Sequence, residues 1–179
     1  MGYITTEEGG FNVEVAAAGD TLQQDLGAIN NDYNQFQAYY CLGSSFTASS
    51  GYTVTRVDVE LLTDSGAPFS SAVTAYITAD CTLSDTAAIL ATSTATHQYT
   101  LTGSEVYYQW DFAGYLLTNA VRYCIALCVA TQDGTNDARW PLQKNGITES
   151  QRYNNEAAAV GTWGLVQATA QGTMKIYGH

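Results

Sequence analysis

The sequence predicts an all-β protein: a jelly-roll β-sandwich over residues 41–179, preceded by a short N-terminal arm over residues 1–40. Two observations carry this expectation. Past residue 45 the chain alternates apolar and polar residues with period two, the signature of half-buried strands. Turn chemistry separates the alternating stretches at Ser49-Ser50-Gly51, Asp64-Ser65-Gly66, Gly103-Ser104, Asp133-Gly134 and Lys144-Asn145-Gly146. Many short strands with turns every 8–12 residues or so indicate a sandwich or jelly roll.

The arm differs from the rest. Phe11, Val13 and Val15 alternate like a short strand. Asp20 then stands as a helix N-cap ahead of Leu22, Leu26, Ile29, Tyr33, Phe36 and Tyr40, whose spacings of four and three residues are heptad-like. Gly27 and the Asn30-Asn31-Asp32 run weaken a helix, so a single short helix or an extended arm is expected. Phe11, Leu22, Leu26, Ile29, Tyr33 and Phe36 are the candidate assembly residues, because they do not share the sandwich pattern.

Within the sandwich the inward sets are explicit. Val57, Val59 and Leu61 alternate with Arg56, Asp58 and Glu60 over residues 53–62. Val73, Ala75 and Ile77 do so over 72–78, and Val106, Tyr108, Trp110 and Phe112 over 105–112. Shorter candidates span 88–93, 98–102, 138–142, 151–154, 164–169 and 173–177. Residues 121–130 are apolar on both faces, with Ile125, Leu127 and Val129 on one and Cys124, Ala126 and Cys128 on the other. Such a strand needs cover on its outer side, from the chain's own arm or from a neighbouring subunit.

Composition narrows the function. The 179 residues carry 6 basic and 17 acidic side chains, a net charge of −11. No basic face can be built from so few cations, which excludes nucleic acid and disfavours an anionic membrane as a partner. A chain 46% hydrophobic and 12% aromatic is not disordered. The start has neither the basic region nor the apolar run of a secretory signal. Yet few charges and many hydroxyls suit the outside of a cell. A chain that opens with Met and reads as complete points to a virion component, with a secreted protein as the alternative.

Cys41, Cys81, Cys124 and Cys128 allow three two-bridge pairings. Cys124 and Cys128 lie roughly 13 Å apart along a strand and cannot bridge each other. Their spacing fits no zinc ribbon, and buried free thiols are expected ahead of a disulfide framework.

No nucleophile elbow, metalloprotease helix or phosphate-binding glycine loop occurs, and His97 and His179 sit outside any motif. An enzyme is not expected, and no cofactor beyond a candidate structural calcium. Asp133, Asn136 and Asp137 offer oxygen ligands suited to that ion, although the same run reads more simply as an Asp-Gly hairpin turn. Trp140, Tyr153 and Trp163, near Arg139, Asn145 and Asn154, are candidates for stacking a glycan. The plainer expectation for a Trp in a small sandwich is the core.

From Ser44 onward the order of motifs resembles a jelly-roll, carbohydrate-binding-like module of phage virion proteins and bacterial surface proteins. The segments that carry it are GSSFTASSGYTV (43–54), YITAD (76–80) with ILATS (89–93), YQWDF (108–112), LTN (117–119), VRYCIAL (121–127), RW (139–140), GTW (161–163) and KIYG (175–178). They span about three quarters of the chain. Cys124 departs from a position where a bulky aromatic is common, and the first 40 residues match nothing in it. The resemblance implies an accessory structural or binding module and carries over no catalytic residue. The expected function is a tailed-phage virion structural protein: a capsid decoration (cement) protein, or a fibre or tail accessory. It would be homo-oligomeric, with the major capsid protein and host surface glycans as partners. The arm and the 121–130 strand would bury against neighbours. The alternative is a carbohydrate-binding module of a surface or secreted protein.

Overall fold

The computed structural model describes residues 19–26, 32–35, 41–63, 72–80, 88–96, 101, 103–130, 138–144, 150–154 and 164–179. Among these residues the secondary structure is all β. The strands are β1 (Thr21–Leu26), β2 (Asp32–Gln35), β3 (Cys41–Thr47), β4 (Tyr52–Thr63), β5 (Val73–Ala79), β6 (Ile89–Thr92), β7 (Val106–Leu117), β8 (Arg122–Val129), β9 (Ala138–Lys144), β10 (Ser150–Asn154), β11 (Gly164–Ala168), β12 (Ala170–Gly172) and β13 (Met174–Gly178).

They form two antiparallel sheets that pack as a β-sandwich. The larger runs β1-β13-β4-β9-β12, with β7 on the free side of β4 and β2 beside β9. The smaller runs β11-β10-β3-β8-β5-β6. Period two explains the core between them. Val57, Val59 and Leu61 from β4, Met174 and Ile176 from β13, and Trp110 and Phe112 from β7 meet Leu42 and Phe46 from β3, Ile125 and Leu127 from β8, and Ala75 and Ile77 from β5.

The N-terminal region differs from the helical expectation. Thr21–Leu26 pairs with β13, Thr21 opposite Gly178 and Leu26 opposite Met174, and Asp32–Gln35 pairs with β9. Both are therefore strands of the larger sheet. The heptad-like spacing has another cause: a register shift between Leu22 and Gln24 reverses the side-chain phase. Leu26 packs against the core while Leu22 is left exposed. The strand expected over 98–102 lies outside the described residues, apart from the buried Leu101.

Strand β8 is buried along its length, as its two apolar faces require. Ile125, Leu127 and Val129 enter the main core; Cys124, Ala126 and Cys128 form a second cluster with Cys41, against which Tyr76 packs. The chain itself supplies this burial, so the expectation that β8 meets a neighbouring subunit does not hold. Nor does the expectation of free thiols. Cys41 and Cys128 stand directly opposite in the β3–β8 ladder, Cα atoms 4.1 Å apart, and form a disulfide. Cys124 is also disulfide-bonded; the remaining cysteine, Cys81, lies outside the described residues.

Candidate functional site

Two surfaces stand out, one polar and one neutral. The polar surface is the outer side of β1, β13, β4 and β7. There the residues alternating with the core set are Arg56, Asp58 and Glu60 on β4, Lys175 and Tyr177 on β13, and Tyr107, Gln109 and Asp111 on β7. The Arg56 guanidinium bonds both Asp58 oxygens, at 2.7 and 2.6 Å, and lies 4.3 Å from the centre of the Tyr177 ring. Lys175 Nζ lies 4.3 Å from the centre of the Tyr107 ring. Gln109 donates to Asp111 at 2.8 Å.

These groups are crowded enough to perturb one another. The Asp58 carboxylate raises the Arg56 pKa. Burial pushes the Glu60 carboxyl up, with Glu105 and Asp25 adding repulsion. Burial also pushes the Tyr107 phenol up to about 12, with Glu60 the first of its negative neighbours. The surface can hold charge in fixed places. One face of each ring, however, is already occupied by a cation.

The neutral surface is one end of the sandwich, where the β3–β4 and β7–β8 turns meet. Residues 48–55 and 113–121 include no Asp, Glu, Lys or Arg. Leu116 is 68% exposed and Val121 41%. Backbone bonds fix the two turns to each other: Ala48 N–H donates to Val121 O at 3.0 Å, and Ala120 N–H to Ala48 O at 2.9 Å. The Tyr123 hydroxyl accepts from Thr118 N–H at 3.0 Å. Ala120 adopts φ +60°, a left-handed conformation that these bonds hold in place. At the rim, Arg122 Nη1 lies 3.9 Å from Asp80, and His179 Nδ1 3.2 Å from Asp20.

The residues expected to act are scattered. Trp140 corrects its glycan-binding expectation: it is fully buried in the core and its indole N–H donates to Thr173 O at 3.1 Å, so no face is free for a sugar. Tyr153 lies on β10, opposite Leu42 and Gly164 in the ladders. Trp163 lies outside the described residues, as do Asp133, Asn136 and Asp137. Among the described residues no group of three or more His, Cys, Asp or Glu could hold a metal ion.

Of the candidate assembly residues, Phe11, Ile29 and Phe36 lie outside the described residues. Leu22 is 47% exposed on β1, and Leu26 packs inward. Tyr33 donates its hydroxyl to Glu105 at 3.1 Å. The neutral end was missed from sequence, because charge-free stretches also run over 65–79, 86–104 and 157–174, and only the fold brings 48–55 and 113–121 together. No protein-family model and no curated protein matches the chain.

Proposed function

We propose that the protein is a virion structural protein of a tailed phage, a capsid decoration protein or a fibre or tail accessory, acting through protein–protein contacts. In this reading the sandwich has jelly-roll topology, and the anchoring arm expected over residues 1–40 is reduced to the residues ahead of β1, since β1 and β2 are strands of the larger sheet. The observation that carries it is the neutral end. Within an acidic chain of net charge −11, this end presents two charge-free turns held to each other by backbone bonds, with two exposed aliphatic side chains, and the Arg122–Asp80 pair and the His179–Asp20 contact beside it. That is the pattern of a contact patch, apolar in the middle and polar around it. The Cys41–Cys128 disulfide adds support, since such bonds persist in oxidising surroundings such as the exterior of a released particle.

The test is localisation. Antibody raised against the purified protein is expected to label intact phage particles in electron micrographs. Labelling of cell surfaces alone would overturn the reading.

The second reading is a carbohydrate-binding module, favoured by the half-buried Tyr107 and Tyr177 on a polar sheet face. Against it, a pyranose would have to displace a cation from the occupied face of either ring. A specific glycan-array hit that is lost in Tyr107→Ala would favour it.

A further inference from the structure

We infer that Cys124 is bonded to Cys81, so that β8 carries a second crosslink on the same face as Cys41–Cys128, shielded from reductants while the protein is folded. The inference does not depend on the virion reading.

The ladders remove the other partners. Cys128 is taken by Cys41. Across from Cys124 stand Ser45 on β3 and Thr78 on β5, and neither can supply the sulfur of the disulfide that Cys124 makes. The sequence holds one further cysteine, Cys81.

The neighbours of Cys81 bring it within reach. Thr78 pairs with Cys124 and Ala79 with Tyr123, so the chain leaves β5 beside the start of β8. Period two puts Arg122 and Cys124 on one face of β8, about 6.6 Å apart. Asp80 Oδ2 lies 3.9 Å from Arg122 Nη1, which holds the residue before Cys81 over that face. The next Cα is only about 3.8 Å further on, and a disulfide spans roughly 4.4–6.8 Å between Cα atoms. At the other end of the connection, Ala79 N–H donates to Ala88 O at 2.9 Å. A bond at Cys81 therefore ties the β5–β6 connection to β8, as Cys41 ties the start of β3 to the end of β8.

Burial gives the pair its character. Cys41, Cys124 and Ala126 are fully buried, Cys128 is 2% exposed, and Tyr76 packs against the cluster. Closing the bond takes one proton and one electron from each thiol; the two electrons reduce a disulfide oxidant to its dithiol. Opening it requires a thiolate to reach a sulfur, and this cluster admits none until the fold opens. Two such bonds suit a module that must last in oxidising surroundings.

The experiment is peptide mapping of the unreduced full chain. The protein is alkylated in denaturant and digested with pepsin at acid pH, where thiolate exchange is suppressed. Cleavage at Leu127 separates Cys124 from Cys128, and mass spectrometry reads each linked pair. A species linking residues 81 and 124 is expected, with neither cysteine alkylated. Cys81→Ser is expected to lose that species and to leave a thiol on Cys124 that reacts only after denaturation. Reduction of the 81–124 bond in native protein should be at least roughly tenfold slower than in urea, because the cluster must open first.

Alkylated Cys81 and Cys124 overturn the inference, as does a peptide joining Cys81 to Cys41 or Cys128. A disulfide-linked dimer on a non-reducing gel also overturns it, because the bond would then join two chains. Equal rates of reduction with and without urea overturn the shielding. The mapping uses the wild-type chain, so it decides the pairing even where Cys81→Ser fails to fold.

Discussion

Gly172 lies flat against the indole of Trp140. A Cβ at Gly172 would fall inside the van der Waals radii of Cε2 and Nε1 and 2.8 Å from Cζ2. The contact sits where the two sheets are tied. Gly172 N–H donates to the Ser44 hydroxyl of β3 at 2.8 Å, and Gln171 Nε2 to Ser45 O at 3.0 Å. Thr173 donates both its N–H and its hydroxyl to Pro141 O while its own carbonyl accepts the Trp140 N–H. The ring is fully buried and cannot retreat.

Gly172→Ala should therefore destabilise the fold by roughly 1–3 kcal/mol, the usual cost of overpacking. Urea denaturation measures it. Trp140→Phe shortens the ring and loses one hydrogen bond, so the double variant should cost less than the sum of the two singles. Strict additivity, or an unchanged midpoint for Gly172→Ala, would contradict the contact.

The Cys41–Cys128 bond closes a loop with a sequence separation of 87. In the chain-entropy account a loop of that size restricts the unfolded chain strongly, and losing the bond costs roughly 2–5 kcal/mol. Peptide mapping of unreduced protein is expected to recover residues 41 and 128 in one linked species. Paired Cys41→Ala and Cys128→Ala should lower the urea midpoint by that order, and reductant should then have less effect than on wild type. A linked peptide joining Cys41 to any other cysteine would refute the β3–β8 register.

Strands were legible where one face is buried and the other is not. In β4, Val57, Val59 and Leu61 against Arg56, Asp58 and Glu60 leave no doubt about phase. The edge strands were illegible for the opposite reason. TLQQDL and DYNQ have too few apolar positions to alternate, and the slip between Leu22 and Gln24 makes Leu22 and Leu26 mimic one helical face. The disulfide was hidden because it depends on which strands pair and in what register, and cysteine counting gives neither. Trp140 stands beside Arg139 in sequence, but in a strand adjacent residues point to opposite faces, and the plainer expectation of a core Trp is the one that holds. Arg139 is half-buried and Trp140 faces the core.

Glu60 sets a pH dependence. Burial, then repulsion from Glu105, raises its folded pKa above the unfolded value. The native state therefore holds more protons between the two values, and stability falls as pH rises through that window. Glu60→Gln keeps the shape and stays uncharged. It should be more stable than wild type at neutral pH, with the difference vanishing below the usual carboxylate range. Denaturation midpoints at acidic and neutral pH test this; a Gln variant less stable at neutral pH would mean that the attraction of Lys175 outweighs desolvation.

The edge strand β1 is bound tightly enough to make residues 21–26 part of the fold. Leu26 packs on the core. The Tyr52 hydroxyl, its pKa pushed up by burial, donates to Gln24 Oε1 at 2.5 Å. Gln24 Nε2 in turn donates to Thr47 O at 3.0 Å, so one side chain joins β1 to both β3 and β4. A chain beginning at Cys41 would lose β1 and β2 and bare the ladder groups of β13 and β9. Bare edges recruit other strands. Such a chain is expected to melt lower than the full protein and to form irregular aggregates in light scattering. A monodisperse, equally stable product would show that β1 and β2 are dispensable and that the sandwich is complete from residue 41.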